Sequence, residues 1–306
     1  MTSTSTTSID YGSPEEKQHI ETVLSLYREV FNERNPKAVE GYLSDDFIQH
    51  NQLYGEGAEG HQKFVSEFFL ANFPDLNVNV EVAIGQNSRV YTFATWTGTQ
   101  KDTGEEMRVL VSEIYRFWDG KIAEHWDVLE YSELQAFGLA RPKRWHQPSA
   151  PFDRGGTPEQ QANLKRLLGY LEEVPIQDLS LAGKFITEDF KQFEPWVIEE
   201  GLEGFLQCFA GFRPLAPDLA VAPDNIVAGN KYVGSIWNSY GHQPETGKKF
   251  IMPTADAYLV EDGMFAKHWG LVDYTDIMTL LGFNPKKHLR DQYTANQAEQ
   301  ERAADQ

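Results

Sequence analysis

Along residues 20–31 the apolar positions recur every three or four places, at Ile20, Val23, Leu24, Tyr27, Val30 and Phe31. That spacing puts them on one stripe of a helix. The start is set by Ser13-Pro14-Glu15-Glu16, with an N-cap hydroxyl, proline at the first helical position and glutamate three residues after the cap. A short second helix is expected from Asn35-Pro36, a brief strand at 47–50 and a third helix over about 60–72. After Pro74-Asp75 the period changes to two: Leu76, Val78, Val80, Val82 and Ile84 alternate with other residues, as in a strand with one buried face. Further strands are expected at about 89–98, 106–118 and 121–130. Turns at Lys101-Asp102-Thr103-Gly104 and Trp118-Asp119-Gly120 join them. Helices first and long antiparallel strands afterwards predict an α+β cone, a curved sheet wrapped around the first helix.

The same pattern then returns. Asp46-Phe47 recurs as Asp189-Phe190, Asp119-Gly120 as Asp262-Gly263, and His125-Trp126 as His268-Trp269, each 143 positions on, as 189 is from 46. Thr157-Pro158-Glu159-Gln160 repeats the helix start, and Leu164, Leu167, Leu168 and Leu171 repeat the stripe. A constant offset over so much chain marks a duplicated folding unit. The division expected is a flexible N-terminus at 1–12, a first domain at 13–138, a linker at 139–156, a second domain at 157–289 and a polar tail at 290–306.

Hydrophobic residues make up 41% and aromatics 13%, enough for a core in each half. The net charge of −19 argues against nucleic acid and against an anionic membrane surface, both of which select basic proteins. No apolar run has the length of a membrane span, and the Ser/Thr-rich start lacks the apolar stretch of a secretory signal. A single cysteine, Cys208, fits a reducing cytoplasmic setting and, on an apolar helical stretch with Phe205 and Phe209, reads as part of the core.

The runs Phe47-Ile48-Gln49-His50-Asn51, Gly60-His61-Gln62-Lys63-Phe64 and Glu113-Ile114-Tyr115-Arg116-Phe117-Trp118-Asp119-Gly120-Lys121-Ile122-Ala123-Glu124-His125-Trp126-Asp127-Val128 resemble the SnoaL-like branch of the NTF2-like superfamily, the polyketide cyclase and aldol-condensation type. The resemblance covers most of 14–138 and, more loosely, 157–285. It implies two cone-shaped α+β barrels in tandem, each with an apolar pocket at its open end. It also implies that the halves pair through their sheets as an internal pseudo-dimer. It implies catalysis without cofactor, by a histidine and a carboxylate acting on a carbonyl compound; the sequence itself shows no short ligand spacing such as His-x-x-x-His, so no metal is expected.

The residues supply such groups. On a strand, His125 and Asp127 share a face, as do Glu113, Tyr115 and Phe117 on the preceding one. His50 ends the short strand, and Asn51 and Tyr54 follow on a loop. Asp127 in an apolar pocket is the expected base. His50 or His125 is the expected proton donor or relay, with Phe93, Trp96 and Tyr115 as walls and Asn51, Tyr54 and Glu113 as further contacts. In the second half Phe193 replaces His50 and Gly270 replaces Asp127, while Asp256 and His268 stand for Glu113 and His125. Any chemistry is therefore expected in the first half. A differently built second site from Asp256, His268 and Glu194 is the alternative. The leading reading is a cyclase, isomerase or lyase of a small carbonyl or polyketide-like compound. The others are a protein that only binds a small apolar ligand, and a structural module. Structural roles compete residue by residue: His125 persists in the half that lost Asp127, and His50 with Asn51 could simply end a strand.

Overall fold

The computed structural model describes residues 7–142, 152–174, 178–193 and 201–288, together with 291, 292 and 295. The first half runs β1 (Ser8–Asp10), α1 (Pro14–Leu26), β2 (Leu43–Gln49), α2 (Gly57–Phe64), β3 (Asn77–Gln86), β4 (Arg89–Thr99), β5 (Glu106–Trp118), β6 (Lys121–Leu129) and α3 (Tyr131–Leu134). α1 and α2 each continue through a wider π-helical turn, at Tyr27–Asn32 and Val65–Leu70. The second half repeats the order with α4 (Pro158–Glu173), β7 (Ile186–Gln192), α5 (Gly201–Phe212), β8 (Ala220–Ala228), β9 (Tyr232–His242), β10 (Lys249–Glu261), β11 (Met264–Val272) and α6 (Thr275–Leu281). The strand orders are β1-β3-β4-β5-β6-β2 and β7-β11-β10-β9-β8. In neither sheet do the two outer strands pair, so both are open, curved sheets.

The helix starts form as their residues dictate. Ser13 Oγ accepts from Glu16 N while the Glu16 carboxylate accepts from Ser13 N, and Thr157 with Gln160 does the same. Each such cap contributes about 1 kcal/mol. The inner face of the first sheet closes over α1 and α2 in a core that includes Ile20, Val23, Tyr27, Phe31, Phe69, Trp96, Val109 and Leu129. The outer faces of the two sheets meet in one shared cluster. Val82, Ile84, Tyr91, Phe93, Ile114, Trp126 and Val128 pack there with Val227, Ile236, Ala255, Ala257, Trp269 and Leu271. The fit is shaped rather than symmetric. Gly234 is the counterpart of Tyr91, and a Cβ on it would sit 2.5 Å from the Tyr91 ring. Polar links cross the same seam: Ala228 N donates to Gln86 Oε1 at 2.8 Å, and Ser132 N donates to Asp273 Oδ1 at 3.0 Å.

Two expectations change. The stretch 1–12 is not all a flexible lead: Ser8–Asp10 adds a parallel strand to the edge of β3. The Asp10 carboxylate accepts from Lys231 N at 2.6 Å and Tyr232 N at 2.8 Å in the other half. Three residues are too few to show a period, and the partner is an edge 74 residues away in sequence, as Val82 is from Ser8. Cys208 is exposed, while Phe205 one turn earlier on α5 is buried. The chain beyond the second domain lies almost wholly outside the described residues, as does 143–151 of the linker.

Candidate functional site

β5 and β6 pair so that Glu113 lies opposite Asp127 and Tyr115 opposite His125. All four point to the inner face. Glu113, His125 and Asp127 are 1%, 1% and 0% exposed. Burying acids at that depth is costly unless donors reach them, and donors do. His125 Nε2 lies 3.0 Å from Glu113 Oε1, and the Tyr27 hydroxyl donates to Glu113 Oε2. Tyr27 in turn meets Thr92 Oγ1 at 2.7 Å and accepts from Tyr115 Oη at 3.3 Å. Asn51 Nδ2 donates to both oxygens of Asp127, at 2.8 and 3.0 Å, and to Tyr131 Oη at 2.9 Å.

The Glu113 carboxylate only accepts, so His125 Nε2 carries the proton it takes. Asn51 N donates to Gln49 Oε1 at 3.0 Å, and both ends of the Gln49 amide reach His125 Nδ1, the nitrogen at 2.9 Å and the oxygen at 3.1 Å. His125 is thus engaged on both nitrogens, held between Gln49 and Glu113.

The loop from Asn51 to Gly57 lies over this group. Gly55 and Gly57 take φ of +77° and +63°, and a Cβ on Gly60 would come within 2.8 Å of Tyr54 O, so the turn needs glycine there. The loop places Tyr54 with its ring 6.0 Å from His125 and 5.0 Å from His61. Burial raises the Tyr54 phenol well above its usual range, and the nearby Asp127 and Glu113 add to this. Burial likewise pushes His61 down to about 3, so its imidazole stays neutral.

Two expected members stand elsewhere. His50 does not share the cavity with Asp127. β2 lies parallel to β6 with Gln49 opposite His125, and alternation along β2 turns Gln49 and Asn51 inward and His50 outward. His50 stacks on Trp126 with ring centres 4.4 Å apart, and its Nε2 lies 3.0 Å from Glu124 Oε2, whose other oxygen takes Arg116. Burial lowers the His50 pKa, against the pull of Glu124. Phe93 also faces out, into the seam between the sheets, while Thr92, Ala94 and Trp96 face in. Three residues apart on a strand cannot share a face. Trp96 stays inside, packed on Phe31 and Phe69.

Glu113, His125 and Asp127 each offer one donor atom, all within 4.8 Å of one another, so they are the residues that could hold a cation. Tyr27, Gln49 and Asn51 already bond them. The second half keeps the acid–histidine contact with no third carboxylate, so hydrogen bonding alone accounts for the pair. There His268 Nε2 lies 2.7 Å from Asp256 Oδ1, and the Trp237 indole donates to the other oxygen. Trp237 occupies the place of Ala94 and fills the interior with Phe190 and Phe205. Glu194, the third group of the alternative site, lies outside the described residues. A surface groove beside Tyr42, lined also by Glu29, Lys37 and Glu40, carries none of these groups.

Tyr27, Gln49, His61 and Tyr131 belong to the site and were not singled out from the sequence as site residues. For three a signal was present: Tyr27, Gln49 and Tyr131 recur as Tyr170, Gln192 and Tyr274 at the repeat offset.

The family model described as "SnoaL-like polyketide cyclase" matches residues 21–136 and again residues 165–281. The chain belongs to that family. Its two matched segments are the two copies of the repeat, so the SnoaL-like unit occurs here as a tandem. Similar solved structures each span about one copy. A SnoaL-like polyketide cyclase from Agrobacterium tumefaciens is 16% identical over 41% of this chain and 99% of its own, with a TM-score of 0.34. TsrD from Streptomyces laurentii is 24% identical over 42% and 98%, with a TM-score of 0.34. A SnoaL-like protein from Jannaschia, named as a candidate polyketide cyclase, is 25% identical over 39% and 90%, with a TM-score of 0.36. No curated protein matches the chain. Among the described residues no helix is long and apolar enough to cross a membrane.

Proposed function

We propose that the first repeat is an acid–base enzyme that needs no cofactor and acts on a small carbonyl or polyketide-like compound, closing a ring, isomerising or cleaving. The observation that carries this reading is Asp127, fully buried in an apolar interior and steered by Asn51, next to the Glu113–His125 pair. A carbon acid beside a carbonyl needs a base for its proton and a donor for the oxygen. Asp127 takes the proton: the C–H bond breaks, an O–H bond forms on the carboxyl, and the electron pair passes through the new C=C bond to the carbonyl oxygen. The Tyr54 hydroxyl, which has no protein partner, donates to that oxygen. The enolate carbon then attacks a second carbonyl or is reprotonated by Asp127. His125 is a positioning residue: Gln49 and Glu113 fix its ring, and it walls the space between the two carboxylates. His50 has no part in this scheme.

The test is exchange of α-protons for deuterium in a panel of cyclic ketones such as 1-tetralone, followed by NMR. Asp127→Asn should slow exchange by about 10²–10⁴-fold, the usual contribution of a placed base. Exchange at the wild-type rate in the variant would end this reading. One observation favours ligand binding without turnover as the second reading: Glu113, His125 and Asp127, with Asn51 and Tyr54 of the loop, are shut from solvent.

A further inference from the structure

Inside the first repeat lies a group of polar atoms of which the acid–base scheme uses only one, Tyr54 Oη. Tyr54 Oη, His61 Nδ1 and Trp96 Nε1 are buried and have no hydrogen-bond partner. Their residues are 2%, 4% and 0% exposed. Buried polar atoms almost always find partners, because an unmade hydrogen bond weakens the folded state. Three in one interior therefore call for a cause. They are neighbours. The Tyr54 and His61 rings are 5.0 Å apart, His61 lies 6.4 Å from Phe31, and Phe31 lies 4.7 Å from Trp96. His61 is also 6.4 Å from His125, so the group adjoins the Glu113–His125–Asp127 cluster. The rest of the wall is aromatic: Phe64 packs on Tyr54 and Phe69 on Trp96.

The repeat supplies an internal control. The scaffold of the site survives in the second copy, where Tyr170, Gln192, Tyr258 and Tyr274 stand for Tyr27, Gln49, Tyr115 and Tyr131. The three unpartnered residues do not: Tyr54, His61 and Trp96 become Val197, Gly204 and Ser239. They vanish together, in the copy that also lacks Asp127. Groups kept in both copies hold the fold; groups lost with the base belong with the base.

Their chemistry names the missing partner. An indole N–H only donates, a phenol donates best, and a neutral imidazole can do either. Oxygen acceptors satisfy all three, the carbonyl at Tyr54 and another at His61 and Trp96, and the aromatic walls suit a flat ring. We propose that His61 and Trp96, beside the Tyr54 hydroxyl that serves the carbonyl, form a second polar subsite that takes an oxygen of the ligand remote from the carbon acid. The ligand class is then a flat ring ketone with at least two separated oxygen functions. The proposal rests on the reading of Asp127 as the base of this interior.

The test compares binding of 1-tetralone with that of 5-, 6- and 7-hydroxy-1-tetralone to the full chain, by calorimetry. At least one hydroxylated isomer should bind about tenfold more tightly, since a site built to bond an oxygen rejects the analogue without it. His61→Phe and Trp96→Phe keep an aromatic ring and remove the donors. Each should cut that preference at least threefold while leaving the affinity for 1-tetralone itself unchanged. In ligand-free protein both variants should melt at or above the wild-type temperature, because an unpaired buried atom has been removed. Equal binding of all isomers, no binding of any, or a preference that persists in both variants overturns the subsite. So does a fall of several degrees in the melting temperature of both variants, which would show the atoms already bonded, as to an ordered water. If the preference holds but Asp127→Asn exchanges protons normally, the subsite stands and the acid–base reading falls.

Discussion

The imidazole of His268 lies 2.7 Å from the carboxylate of Asp256, at the place where the first repeat sets His125 beside Glu113. The pair thus occurs in both copies, though only one copy has Asp127. In the second copy the Trp237 indole donates to the remaining Asp256 oxygen and closes the interior. The acid–histidine contact is a scaffold of the repeat, on which Asp127 is an addition.

Asp256→Asn should therefore act on stability alone. One amide oxygen cannot serve both the Trp237 and His268 donors, so the cost is about 2 kcal/mol. Urea denaturation should show that loss while α-proton exchange stays at the wild-type rate. A variant that folds normally but exchanges slowly would place a working site in the second repeat.

Asp127→Asn should show the opposite balance. Two carboxylates directly opposed across a ladder are unfavourable, so the amide should raise stability by roughly 0.5–1 kcal/mol as activity falls. A urea midpoint clearly below wild type would mean that Asp127 is a structural acceptor for Asn51.

His61 should make stability depend on pH. Its folded pKa is about 3, below the unfolded value of 6.5. Between these values the unfolded chain binds the extra proton, so stability falls as pH falls through 6.5 toward 3. From pH 7 to pH 5 the loss from this residue is about 2 kcal/mol. His61→Gln should flatten the stability curve by that amount; curves that stay parallel would contradict the burial effect.

Trp126 and Trp269 sit in the cluster shared by both sheets. Trp126→Ala should cost about 3–5 kcal/mol. Because the lost contacts belong to both halves, calorimetry should show one transition shifted as a whole. Two separate transitions, with the second half unmoved, would show that the halves fold independently.

The change from helical spacing to alternation at Pro74-Asp75 determined the α+β order, and the constant offset determined the tandem, because both are local or self-referential patterns. Alternation also put His125 and Asp127 on one face of β6. What the pattern could not supply was which way a short strand faces, since that depends on a partner far along the chain. β2 takes its register from β6, so Gln49 and Asn51 turn inward and His50 turns out to Glu124 and Trp126. For the same reason β1, His61 and the Asn51 clamp on Asp127 became visible only once α2 and the loop had packed against the sheet. Period fixes a residue's neighbours on its own element; tertiary contact decides which buried charge meets which donor.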